Sequence, residues 1–162
     1  MAMKKAIFFT IDSLLASGIV VIAILLVSNF YSAENKSANV KYASQDLIKI
    51  FSTTTVGDLD NDYAKSLVSS GDIKNTNNTV LEQIGEFWAN NNQSLATNFT
   101  KNITEEVVPK NYGFGVLIDG KNIYTRNLTL NNELVSSRSM VSGISGASSL
   151  WGPNMIELRV WD

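Results

Sequence analysis

Cysteine and histidine are both absent from the 162 residues, and proline occurs only twice. The chain therefore has no disulfide, no thiolate nucleophile, no imidazole base and few of the usual zinc ligands. Lack of disulfides leaves the fold unstapled and does not by itself name a compartment. Positive charge is also short: thirteen Lys and Arg stand against fifteen Asp and Glu, a formal net charge of −2. Such a chain has no basic field to hold nucleic acid, and none is expected as a partner. Serines are many, but without His only a lysine is left to activate one, and nothing in the sequence points to such a Ser–Lys pair. Gly113 and Gly115 open no helix and have no Lys placed for phosphate, so they are not a nucleotide loop. Asp58, Asp60 and Asp62 lack the Gly and distal Glu of a calcium loop. They read better as a helix cap with solvated acids, and Glu105-Glu106 is no stronger as a calcium site. No enzyme, metal or cofactor is expected.

What is present is concentrated near one end. Mean hydropathy is near zero, yet no residue from Ser13 to Ala33 is charged, and 18–27 reads Gly-Ile-Val-Val-Ile-Ala-Ile-Leu-Leu-Val. With 6–11 added, the run exceeds the roughly 20 apolar residues that cross a bilayer. Lys4 and Lys5 precede it, and Glu34, Lys36 and Lys41 follow it. The unopposed lysine pair favours an inside start and an exported remainder, although Lys36 and Lys41 compete. A secretory signal peptide is the rival reading, with Ser32-Ala33 as its weak cleavage site. A plain membrane anchor with flanking lysines is another.

Beyond the run, Val40, Ala43, Leu47 and Ile50 fall on one helical face, and no Pro or Gly interrupts Ile19 to Val56. The pattern predicts one helix from about residue 6 to about residue 52, on the order of 70 Å long. A short helix is expected over Asp58–Val68, capped by Asp58 or Asp60. A second amphipathic helix follows Thr79, which stands three residues before Glu82 as in a capping box. That helix carries Ile84, Phe87, Phe99 and Ile103, has a candidate break at Asn90–Asn92, and ends at Pro109. From Asn111 the period changes to two: Tyr112, Phe114, Val116 and Ile118 lead to an Asp119-Gly120 turn and a strand over Ile123–Leu130. Leu134–Val141 and Met155–Trp161 read as two more strands, joined by a Gly/Ser-rich loop, Ser142–Asn154. The fold class is α+β: a long N-terminal helix, then a globular head with a second helix packed on an antiparallel sheet of about four strands. The expected divisions are 1–6, 7–55 and 56–162. Trp88, Trp151 and Trp161 are read as core or subunit contacts.

A basic pair, a small residue and an unbroken apolar helix, Lys4-Lys5-Ala6 and then Ile7-Phe-Phe-Thr-Ile-Asp12, resembles the class III signal peptides of archaeal type IV pilins and archaellins. The resemblance covers the N-terminal third. It implies a cut between Ala6 and Ile7 by a membrane-embedded prepilin peptidase, which leaves the helix on the mature chain. Asp12 resembles the family's intramembrane acid, which meets the free amine of a neighbouring subunit; it would be sixth after the cut, where that acid is usually fifth. A lone acid in an apolar helix is functional by default, and snorkelling to the interface is the alternative. The resemblance further implies a filament whose core contains Leu14, Leu15, Ile19, Ile22, Leu25 and Leu26. Its partners would be copies of the same chain, the membrane before assembly, and an assembly ATPase with its platform.

N-x-[ST] occurs at Asn35, Asn77, Asn92, Asn98, Asn102 and Asn127. Composition alone would give about three. All six lie past the apolar run, as expected of an exported glycoprotein. The function expected is a structural subunit of a surface filament for adhesion or attachment, located first in the membrane and then outside the cell. Two alternatives stay open: a singly anchored surface glycoprotein, and a minor pilin or pseudopilin priming a secretion or DNA-uptake machine.

Overall fold

The computed structural model describes residues 19–25, 41, 43–126, 129, 134–145 and 149–161. The chain divides into two units, Met1–Asn39 and Val40–Asp162. In the first unit residues 19–25 are helical and every one of them is exposed. Among the described residues no helix is long and apolar enough to cross a membrane. The expected helix over 7–55 lies largely outside the described residues; within that span 19–25, 41 and 43–53 are helical, and Thr54 and Thr55 are not.

The second unit is α+β, with a four-stranded antiparallel sheet. Helix α1 covers 43–53. Its buried residues are Ser44, Leu47 and Phe51, while Ile50 is exposed. The buried face is therefore turned by about one residue from the one that Ala43 and Ile50 suggest. On that face Ser44 Oγ meets Ser137 Oγ at 2.8 Å on the third strand, beside buried Leu47 and Phe51. A paired hydroxyl can be buried at little cost. Ser52 and Thr53 bond back to the Lys49 carbonyl at 2.9 Å and occupy an acceptor of the last turn.

A 3-10 turn, Val56–Asp58, follows, and then α2, Asp62–Ser70. This corrects the single helix expected over Asp58–Val68 and its cap. Asn61, not Asp58 or Asp60, accepts from the Ala64 amide at 2.8 Å. Helix α3 runs Val80–Ala89 and opens with the full capping box: the Thr79 hydroxyl accepts from Glu82 N, and Glu82 accepts from Thr79 N. Such a cap contributes about 1 kcal/mol. Bonds from Val56 N to the Asn78 carbonyl and from Val80 N to the Thr54 carbonyl tie the end of α1 to the start of α3.

The expected second helix is two helices. Asn91 takes a positive φ of 60°, which ends α3, and α4 begins afresh over Gln93–Val107. Helix α3 packs over the third and fourth strands, and α4 over the second. Phe87 and Phe99 meet edge to face at 5.8 Å between them.

The strands are β1 Gly113–Ile118, β2 Lys121–Arg126, β3 Leu134–Ser145 and β4 Ser149–Trp161, in the order β2-β1-β4-β3. Asp119 and Gly120 both have positive φ, so β1 and β2 are joined by a two-residue turn of the kind that Asp-Gly favours. Phe114, Val116 and Ile118 on β1 alternate inward and are fully buried with Ile156, Leu158 and Val160 on β4. The stretch 142–154, expected as a loop, is mostly strand. Gly143 pairs with Trp151 and Ile144 with Leu150, after a register shift between Val141 and Gly143. Trp151 explains the extension. Its ring lies against Gly85 of α3, where a Cβ would meet ring carbons at 2.8 Å, so the hairpin is docked on the helix by a contact that only glycine permits.

Candidate functional site

Three surfaces carry the chemistry worth testing. The first is the apolar stretch 19–25. Ile19, Val20, Val21, Ile22, Ile24 and Leu25 are each 55–68% exposed. Of the expected assembly residues, Ile19, Ile22 and Leu25 are in this stretch. Asp12, Leu14, Leu15 and Leu26 lie outside the described residues, as do Lys4, Lys5, Ala6 and Ile7 of the expected processing site.

The second is the sheet face turned away from the helices. Strand alternation puts Leu134, Ser136, Arg138 and Met140 of β3 there, opposite Trp161, Arg159, Glu157 and Met155 of β4. A groove of about 250 Å³ runs between Leu117, Leu134, Arg159 and Trp161 at one end. Trp161 donates from Nε1 to the Thr129 carbonyl at 3.2 Å. At the middle, Glu157 accepts from Arg159 Nε at 2.6 Å and from Arg138 Nε at 3.0 Å. Burial pushes the Glu157 carboxyl up, but the two guanidiniums outweigh it and hold the group below the usual carboxylate range. At the other end Met140, Met155, Ile144 and Leu150 are exposed. This cluster was not read from the sequence. Glu157 and Arg159 are visible there as residues two apart on a strand, but Arg138 joins them only once the β3–β4 register is known.

The third is a polar cleft of about 470 Å³ lined by Asp72, Lys74, Glu86, Asn90, Asn92 and Ser145. Of the six expected glycosylation sites, Asn92 borders this cleft. Asn77 is exposed on the turn before α3, and Asn98 and Asn102 are on α4. Asn35 and Asn127 lie outside the described residues.

Elsewhere polar groups serve the fold. Arg126 donates to the carbonyls of Val108, Pro109 and Tyr112 at 2.7–3.0 Å and clamps the turn from α4 into β1. Lys121 lies over the Trp88 ring at 5.7 Å. Burial pushes the Tyr124 hydroxyl up, aided by Glu105, against Arg126 and a bond to Thr104. The Ser44 and Ser137 hydroxyls bond to each other at 2.8 Å. Among the described residues no three His, Cys, Asp or Glu side chains gather to hold a metal. No family model, no curated protein and no solved structure matches the chain.

Proposed function

We propose that the chain is a structural subunit of an extracellular filament of the type IV pilus kind. Its apolar N-terminal stretch, which includes the helical run 19–25, would form the shared core, and the α+β unit would be the head. The observation that carries this reading is the helical run Ile19–Leu25, whose large aliphatic side chains are all exposed. Such a surface is stable in lipid or against other apolar helices, not in water. Lipid serves before assembly and copies of the chain serve after it. A repeated heterologous contact then yields an open helical polymer. Lys4-Lys5-Ala6 supports the route, because cutting before the helix rather than after it keeps the helix on the subunit.

The test is direct. Material sheared from the source cells is imaged by electron microscopy, and its N-terminus is read by mass spectrometry. Filaments containing this chain with Ile7 as first residue are expected. Assembled protein that still begins at Met1 or Lys4 rules out the processing step. Chain found only as a membrane-retained species, with no filament, rules out the filament and leaves the anchored glycoprotein.

A further inference from the structure

We infer that Asn92 is the acceptor at which the folded head takes an N-linked glycan, and that Asn77, Asn98 and Asn102 are not modified once the head has folded. The inference rests on the export proposed above and on the geometry of the four described sequons. An acceptor is recognised through its amide and through the hydroxyl two residues on, so both must be reachable, as on a surface loop.

At Asn92 both are. Asn92 and Ser94 are exposed at the junction of α3 and α4. Asn92 also holds the N-cap position of α4, where an asparagine normally accepts a bond from the second or third amide of the helix. It makes no such bond. Its amide is left to solvent at a place where the fold had a use for it. Beside it is the polar cleft with Asp72, Lys74, Glu86 and Asn90, whose donors and acceptors suit the hydroxyls of the first sugar.

The other three sequons are each blocked by a bond or by burial. Thr100, the hydroxyl partner of Asn98, is wholly buried beneath α4, and so is Thr104, the partner of Asn102. Reaching either means unwinding a turn that also buries Phe99 and Ile103. The Asn102 side-chain nitrogen already donates to the Asn98 carbonyl at 2.8 Å. At Asn77 the asparagine is exposed, but the Thr79 hydroxyl is committed to the cap of α3.

The donor is a lipid-linked sugar phosphate or diphosphate at the outer membrane surface. The Asn92 side-chain nitrogen forms a bond to the anomeric carbon, and the bond from that carbon to the phosphate oxygen breaks. The lipid phosphate leaves with the electron pair, and the amide proton passes to a base of the transferase.

The experiment is site-by-site glycopeptide mapping of the full chain from its source cells, alongside Asn92→Gln and Ser94→Ala made in the same cells. Surface exposure is scored separately by protease treatment of intact cells. Sugar is expected on Asn92 and absent from Asn77, Asn98 and Asn102, and each variant should lose the whole glycan mass at that site. Ser94→Ala keeps the asparagine and changes only an exposed hydroxyl, so its loss cannot be laid to misfolding. Sugar on Asn98 or Asn102 would show transfer before folding and overturn the inference, and sugar on Asn77 would overturn the selectivity. A surface-exposed chain bare at Asn92 defeats the inference and leaves the filament proposal standing. Sugar on Asn92 of a chain that never forms filaments does the reverse. A chain not exposed on intact cells defeats both.

Discussion

Ile22 and Ile103 are the same residue in the same secondary structure, yet Ile22 is 59% exposed and Ile103 is 2% exposed. The difference separates the two units. In Val40–Asp162 the large apolar side chains of α3, α4 and the inner sheet face find one another, and Leu81, Ile84, Phe99, Phe114 and Leu158 are all fully buried. In 19–25 none is buried. Burying a large aliphatic side chain is worth about 1.5–3 kcal/mol, so the six in 19–25 hold back on the order of 10 kcal/mol. The second unit buries its own core, while the described helical run of the first leaves its large apolar side chains exposed. Under the function proposed above, a mutation in the head acts on folding and one in the helix on assembly.

The largest effect should come from breaking that division at the helix. Leu25→Asp puts a carboxylate into the proposed shared core, where an unpaired charge costs several kcal/mol. Filament yield, measured by sedimentation and microscopy, should fall to nothing, while the thermal unfolding of the head stays unchanged. Normal assembly of Leu25→Asp would end the helix-core proposal, and a lowered head transition would show that the two units are not independent. Asp12→Ala is the milder partner test. It should leave the chain in the membrane but poorly assembled, if Asp12 sets the register of the proposed core. Filaments of normal amount and symmetry would remove Asp12 from assembly.

The next effect belongs to the head. Phe99 is fully buried on α4 and meets Phe87 edge to face. Phe99→Ala should destabilise the unit by about 3–5 kcal/mol, read as a lowered denaturation midpoint with the slope preserved. Membrane insertion should be unaffected. A loss under 1 kcal/mol would mean that the core relaxes around the cavity and is looser than its burial implies.

How far these elements were legible depends on the range of the interactions that set them. Local signals read well. Thr79 with Glu82 predicts the start of α3, Asp119-Gly120 predicts the tight turn, and the alternation Phe114, Val116, Ile118 predicts the inner face of β1. Long-range signals did not. Ser44 reads as a solvent residue until Ser137 of β3 is opposite it. Gly143, Gly152 and Pro153 read as a loop until Trp151 is seen to need Gly85 and Gly143 as its seat. The split of the second helix was half visible: three asparagines mark a weak point, but only the positive φ of Asn91 turns it into a break. For the candidate site, the sequons are plain in the sequence, and their inequality is not. Burial of Thr100 and Thr104 follows from how α4 is rotated on the sheet, which one chain's periodicity fixes only coarsely.

The smallest effect sharpens the comparison within the sheet itself, between its dry inner face and its charged outer one. Glu157, whose side chain is 12% exposed, sits between Arg138 and Arg159, whose side chains are 59% and 38% exposed. Both guanidiniums reach water, which screens the pairs, and glutamine keeps the stem and a hydrogen-bond acceptor, so Glu157→Gln should cost the head about 1 kcal/mol at neutral pH. The sign of its pH dependence follows from the shift. The folded-state carboxyl titrates lower than in the unfolded chain, because the two guanidiniums outweigh the burial that raises it. Its contribution is therefore complete above the unfolded value and lost as pH falls from there through the lowered folded one. Below that window the protonated glutamic acid resembles the glutamine, and the stabilities of the parent and Glu157→Gln heads should converge. High salt at neutral pH should narrow the same gap, since exposed charges are screened within about 8–10 Å. Denaturation curves of the two proteins at neutral and acid pH decide it. A gap that persists unchanged into acid would mean that Glu157 acts through the packing of its stem, and that charge on the outer face contributes nothing to the head's stability.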